Sequence, residues 1–109
     1  THDLGAALAW FRKAADAGSP QGAYNVAQFY RSGLGVPKNE VLAAFWYGEA
    51  ARAGFAPAQL NLGVMELRGI GVAADPDHGL AMIRAAAAQG HPQAQALLEE
   101  IARRGGSGR

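Results

Sequence analysis

Apolar and small residues gather along the chain into six amphipathic runs, each ended by glycine, with the spacing of helices rather than strands. Tyr24, Gln28 and Arg31 in the second run fall three and four residues apart. Leu60, Val64 and Leu67 in the fourth do the same, so each set lies on one face of its helix. The predicted helices cover 3–17, 20–32, 39–53, 56–68, 75–89 and 92–104. Connections this short force neighbouring helices to run antiparallel.

Taken in pairs, the six runs are three copies of one pattern. Ala14-Ala15 recurs as Ala50-Ala51 and as Ala86-Ala87, 36 residues apart each time. Gly18, Gly54 and Gly90 keep the same step, as do Gly33, Gly69 and Gly105, and Gly35-Val36 returns as Gly71-Val72. Trp10-Phe11 returns as Trp46-Tyr47 and, more loosely, as Met82-Ile83, while Asn25 returns as Asn61. A period this regular means stacked units that share a continuous core. Aromatic residues at a fixed repeat position build such a core. Trp10, Phe11, Trp46 and Tyr47 are therefore expected between helices, not on a platform for bases or sugars.

The punctuation has a mechanism. Asp3, Asn39 and Asp75 stand one period apart, each ahead of an alanine-rich run. Their short side chains can accept hydrogen bonds from the free amides of a first helical turn. Pro76 follows at the first helical position, and Glu40 and Asp77 put negative charge near the positive end of the helix dipole. Gly18, Gly54 and Gly90 are expected to close these helices, and Gly33, Gly69 and Gly105 the ones between them. Pro20 and Pro92 lie near the start of those second helices. One domain over 1–105 results: a first helix at 3–17, units at 20–53 and 56–89, a terminal helix at 92–104, then a flexible tail at 106–109.

These residues resemble the Sel-one-like repeats, relatives of the tetratricopeptide repeat. Gly22-Ala23-Tyr24-Asn25-Val26-Ala27-Gln28-Phe29-Tyr30 is similar to the first half of the family unit, and Ala58-Gln59-Leu60-Asn61-Leu62-Gly63-Val64-Met65 more closely so. Gly33-Leu34-Gly35-Val36 and Gly69-Ile70-Gly71-Val72 match its turn. Ala43, Trp46-Tyr47 and Ala50-Ala51 match its second half, as do Ala7, Trp10-Phe11 and Ala14-Ala15. The resemblance spans residues 3–105. It implies an all-α fold, a right-handed α-solenoid of antiparallel helix pairs, with the first helix of each unit on the concave side. On that reading the chain begins with an outer helix and ends on an inner one. Glu99 departs from the pattern, standing where earlier units have Ala27 and Gly63, and marks 92–104 as a terminal cap. The cysteine-rich branch of the family is not represented, so no activity proposed for that branch is carried over.

Composition narrows the function. Half of the 109 residues are hydrophobic and only 17% are charged, with 15 glycines, which suits close helix packing and rules against a disordered chain. Ten basic residues against nine acidic ones leave a formal charge of +1, too little to draw nucleic acid or an anionic membrane from a distance. No cysteine means no disulfide framework, thiol nucleophile or zinc–thiolate site. No apolar run reaches the roughly 20 residues of a membrane span. The start at Thr1, with no signal peptide, reads as an excised domain or mature fragment of a larger chain.

Little in the sequence carries chemistry. Asp75, Asp77 and His78 form a short acidic-histidine cluster, but Asp75 has a capping task and no second cluster adds ligands, so no metal is expected. His2 stands alone and His91 falls at a helix start. The Gly-x-Gly pairs at 33–35 and 69–71 lack the strand and remaining fingerprint of a nucleotide loop. Ser19, Ser32 and Ser107 sit in no nucleophile motif. Arg103, Arg104 and Arg109 complement a helix end rather than bind nucleic acid.

The resemblance instead points to the concave face, at positions that vary between units. They are Gln21, Tyr24, Gln28 and Arg31; Leu60, Val64, Leu67 and Arg68; and Gln93, Glu100 and Arg103. Leu60, Val64 and Leu67 either give that face an apolar centre flanked by Tyr24, Arg31 and Arg68, a mixture that interfaces favour, or finish the core. The expected protein is a non-enzymatic adaptor or scaffold without cofactor. Its partner is a protein or peptide segment in the groove, and its setting a bacterial regulatory, envelope or cell-polarity assembly, with periplasm or envelope favoured over cytoplasm. The alternative is a carbohydrate- or peptidoglycan-associated envelope domain.

Overall fold

The computed structural model describes residues 3–107, which form six α-helices and, among those residues, no strand. They are α1 Leu4–Asp16, α2 Pro20–Ser32, α3 Glu40–Arg52, α4 Ala56–Arg68, α5 Pro76–Ala88 and α6 Pro92–Ser107. Each packs on the next in sequence, giving a body of 52 × 25 × 25 Å. His2 and Arg109 lie outside the described residues.

The expected caps are made. Side chains of Asp3, Asn39 and Asp75 accept from the amides of Ala6, Leu42 and His78 at 2.9, 3.0 and 3.2 Å. Ser19 caps α2 in the same way, through the Gly22 amide at 3.0 Å, which the reading of its sequence motifs passed over. His91 Nδ1 accepts from the Ala94 amide at the start of α6.

Both α2 and α4 end on a left-handed glycine, Gly33 and Gly69, each with φ of 70°. The next residues, Leu34 and Ile70, donate to the carbonyls of Phe29 and Met65 at 3.0 Å, closing the helix end. The third unit departs from this pattern. Its helix, expected to stop at 104 against Gly105, runs on to Ser107. Gly106 stands where Leu34 and Ile70 stand in the earlier units. Of the tail expected at 106–109, two residues belong to α6, and 108–109 lie outside the described residues.

Small residues set the helix spacing. A Cβ on Gly63 would lie 2.7 Å from the Gly79 carbonyl oxygen, and one on Gly79 2.7 Å from that of Gly63, so α4 and α5 meet backbone to backbone. The larger core cluster joins Val26, Ala27, Ala43, Trp46, Tyr47, Ala50 and Met65; a smaller one joins Ile83, Ala86 and Ala94. Gln59 and Gln95 reach back to the carbonyls of Ala51 and Ala87, 3.4 and 3.1 Å away. The same bond thus ties an inner helix to the preceding outer one in successive units.

One core expectation fails. Trp46 and Tyr47 are buried and Phe11 is half-buried, 5.8 Å from Phe29, but Trp10 is 74% exposed. The position is interior only when an earlier outer helix covers it. For Trp46 that cover is α1, whose Arg12 guanidinium lies 4.9 Å from the ring centroid. Nothing among the described residues does this for Trp10.

Candidate functional site

Helices α2, α4 and α6, the ones that the family resemblance puts on the inner side, carry every residue singled out for binding. Leu60, Val64 and Leu67 are half-buried on one face of α4, packed toward Ile83, Ala86 and Ala94. Val64, Leu67 and Arg68 then join Leu97, Glu100, Ile101 and Arg104 of α6 around a groove of about 310 Å³.

The repeat explains why the groove lies here and not one unit earlier. Between α2 and α4 the space is taken by Tyr47 of α3. Its ring centroid is 5.6 Å from that of Tyr24, its hydroxyl donates to Gln28, and Arg31 and Asn61 stand alongside. Burial pushes the Tyr47 hydroxyl above its ordinary pKa of 10.0, against the opposing pull of Arg31. One period on, these five positions read Ile83, Leu60, Val64, Leu67 and Leu97. A polar knot is replaced by aliphatic side chains, and Ile83 lacks the ring and hydroxyl that would fill the gap.

Charge lies on the rim. Glu100 pairs with Arg103 at 2.6 Å and Arg104 at 2.8 Å, and these two guanidinium groups hold its carboxyl below the usual carboxylate range. Arg68 is exposed at the same edge. Two lining arginines, Arg68 and Arg104, against one glutamate leave the rim cationic, above an apolar floor.

Four of the predicted residues, Val64, Leu67, Arg68 and Glu100, therefore share one groove. Tyr24 and Gln28 are half-buried and engaged with Tyr47, so they face inward. Gln21, Arg31, Gln93 and Arg103 are exposed, and Leu60 is half-buried; none of these lines the groove. The sequence reading missed Leu97, Ile101 and Arg104. Arg104 stands one period after Arg68, a signal that was available. In the acidic-histidine cluster, Asp75 caps α5 and His78 Nδ1 lies 2.8 Å from the Glu66 carboxylate.

Comparison with known proteins agrees with this architecture. The Sel1 repeat pattern matches residues 1–19, 20–55 and 56–91. Chitin synthase regulatory factor 3 of Schizosaccharomyces pombe is 38% identical over 95 residues, covering 85% of this chain but 10% of the relative. A Sel1 repeat protein from Oxalobacter formigenes superimposes with a TM-score of 0.87 at 37% identity, covering 93% of this chain and 29% of that one. A protective antigen of uropathogenic Escherichia coli strains gives 0.83 at 41% identity, covering 87% and 20%. The chain thus spans a small part of these relatives. Helicobacter pylori cysteine rich protein B shares the fold, with a TM-score of 0.83 at 23% identity over 88% of this chain and 72% of its own. No helix among the described residues is long and apolar enough to cross a membrane. Sel1 repeat proteins are generally protein-interaction scaffolds and typically non-catalytic. With a 36-residue helical pair repeated along its length and the repeat pattern matched over residues 1–91, this chain belongs to the Sel1 repeat family.

Proposed function

We propose that the chain is an adaptor module whose inner groove, between α4 and α6, takes an apolar segment of a partner protein with an acidic residue beside it. The carrying observation is the change of Tyr47, Tyr24, Gln28 and Asn61 to Ile83, Leu60, Val64 and Leu97 one unit later, which opens an aliphatic trough of about 310 Å³ under an arginine rim. Apolar anchors ringed by arginine are the mixture that concentrates binding energy at interfaces. The name of the fission-yeast relative, a regulatory factor, agrees with a module that acts by holding another protein. The setting that fits is a regulatory, envelope or cell-polarity assembly in a bacterium.

Peptides selected from a random library on the immobilised domain provide the test. Leu67→Ser and Arg68→Glu should each weaken a selected peptide by about tenfold, the loss expected of an interface anchor. Arg52→Glu on the outer face should leave its affinity unchanged, and Arg68→Glu, at an exposed site, should leave the melting temperature near that of the parent. Peptides insensitive to both groove changes but lost with Arg52→Glu would move the site to the outer face.

A further inference from the structure

Between α1 and α3 the chain fills its own cleft. The Arg12 guanidinium lies over the Trp46 ring, 4.9 Å from its centroid, and pairs with Asp16 at 3.7 Å. One period on, Arg12 becomes Gly48, Asp16 becomes Arg52, Leu42 becomes His78 and Trp46 becomes Met82. A cavity of about 220 Å³ is left between α3 and α5, with Ala51 and Leu62 completing its walls. It lies within the stack, with helices before and after it, and shares no residue with the groove between α4 and α6. Close packing does not require Gly48, because an added Cβ would meet nothing nearer than an Arg52 side-chain nitrogen at 3.8 Å. A glycine inside a helix weakens it relative to alanine, and here its effect on packing is to leave the cleft open. The charge pattern reverses as well. In the filled cleft a cationic side chain answers the acid Asp16; in the open one a cation, Arg52, stands in the acid's place. Glu66 is held by His78 Nδ1 at 2.8 Å, and Glu49 pairs with Arg52 along α3. That second pair is exposed, so it is weak and readily exchanged.

We propose that the cleft between α3 and α5 binds a short-chain carboxylic acid, with its hydrocarbon chain on Met82, Leu62 and Ala51 and its carboxylate on Arg52 in place of Glu49. The ligand stands in for the missing side chain at position 48. Its apolar chain replaces the methylene stem that Arg12 lays in the first cleft, and its charge is reversed to suit Arg52. A guanidinium fork matches a carboxylate through two parallel hydrogen bonds, which an alcohol or an amine cannot reproduce. The volume falls below the roughly 300–1,000 Å³ of sites for drug-sized ligands, which suits a chain of a few carbons.

Sodium hexanoate titrated into the 109-residue chain, labelled at its methionine methyl groups and followed by NMR, tests this. Met82 lines the cleft, whereas Met65 is 1% exposed in the core and serves as the internal reference. The Met82 methyl resonance should shift and saturate while that of Met65 stays still. Hexanoate should bind at least about tenfold more tightly than hexanol, and hexylammonium more weakly still. Arg52→Gln should bring hexanoate down to the level of hexanol, and Glu49→Gln, which frees Arg52, should tighten it. Gly48→Leu, whose side chain enters the open space, should abolish saturation with helical content unchanged. A Met82 shift that rises without saturating, hexylammonium equal to hexanoate, or binding that survives both Gly48→Leu and Arg52→Gln overturns the proposal. So does a capped glutamate that saturates the cleft at lower concentration than hexanoate, which would give the cleft to a side chain of a partner protein.

Discussion

Two glycines in helix interiors should respond in opposite senses to the same substitution. At Gly48 in α3, an added Cβ meets nothing closer than the Arg52 side-chain nitrogen at 3.8 Å. Gly48→Ala therefore gains helix propensity alone, about 1 kcal/mol of added stability. At Gly63 in α4 the same Cβ would sit 2.7 Å from the Gly79 carbonyl oxygen and 2.7 Å from Ile83 Cγ1. Ordinary contact begins at about 3.4 Å, so α4 and α5 must separate by several tenths of an ångström along a backbone-to-backbone crossing. Overpacking of this kind costs about 1–3 kcal/mol, and here it also loosens Ile83 and Ala86, the centre of the smaller core. Set against the same propensity gain of about 1 kcal/mol, Gly63→Ala should be neutral at best and destabilising by up to about 2 kcal/mol. For a domain of this size each kcal/mol moves the melting temperature by about 4–8 °C. Thermal and urea melts followed by circular dichroism at 222 nm should thus separate the two variants by 5 °C or more, about the shift of 1 kcal/mol. A Gly63→Ala melt that rises as far as that of Gly48→Ala would show that the α4–α5 crossing is not as close as described.

Trp46→Ala should cost about 3–5 kcal/mol, the range for a buried large aromatic, and in so short an array a urea melt should show cooperative loss of the whole domain. A melt unchanged by it would remove Trp46 from the core. Asn39→Ala removes the acceptor of the Leu42 amide and should lower stability by about 1 kcal/mol, whereas alanine at the uncapping residue Lys38 should change the melt little. Burial raises the pKa of Tyr47, so the folded state favours the neutral phenol. That stabilisation is present below pH 10, the ordinary tyrosine value, and is lost as pH rises above it. Tyr47→Phe should accordingly flatten the alkaline limb of the stability–pH profile, and an unaltered limb would contradict the burial of that hydroxyl.

The helical pairs were legible because the signals that specify them are local. Asp3, Asn39 and Asp75 announce helix starts by side-chain chemistry, and Gly33 and Gly69 announce ends by a conformation other residues avoid. The overrun of α6 past Gly105 was not legible, because a glycine at that repeat position closes α2 and α4. Trp10 was misjudged because its burial depends on a neighbour one period upstream, which no property of residue 10 encodes. The groove was half legible. Val64, Leu67, Arg68 and Glu100 follow from the helical face, but which of the two inter-unit gaps stays open depends on whether Tyr47 or Ile83 reaches across it. That is a property of packing, visible only once the helices are in place.

Backbone amide mapping tests the proposed groove most directly. A peptide selected on the domain is titrated into isotope-labelled protein while the amide resonances are followed by NMR. Binding in the groove predicts shifts concentrated at Val64, Leu67 and Arg68 on α4 and at Leu97, Glu100 and Ile101 on α6. The outer surface of α3 around Val41 and Phe45, exposed and apolar, should remain unperturbed. Shifts gathered on Val41 and Phe45 with α4 and α6 silent would contradict the account and place the partner on the outer face.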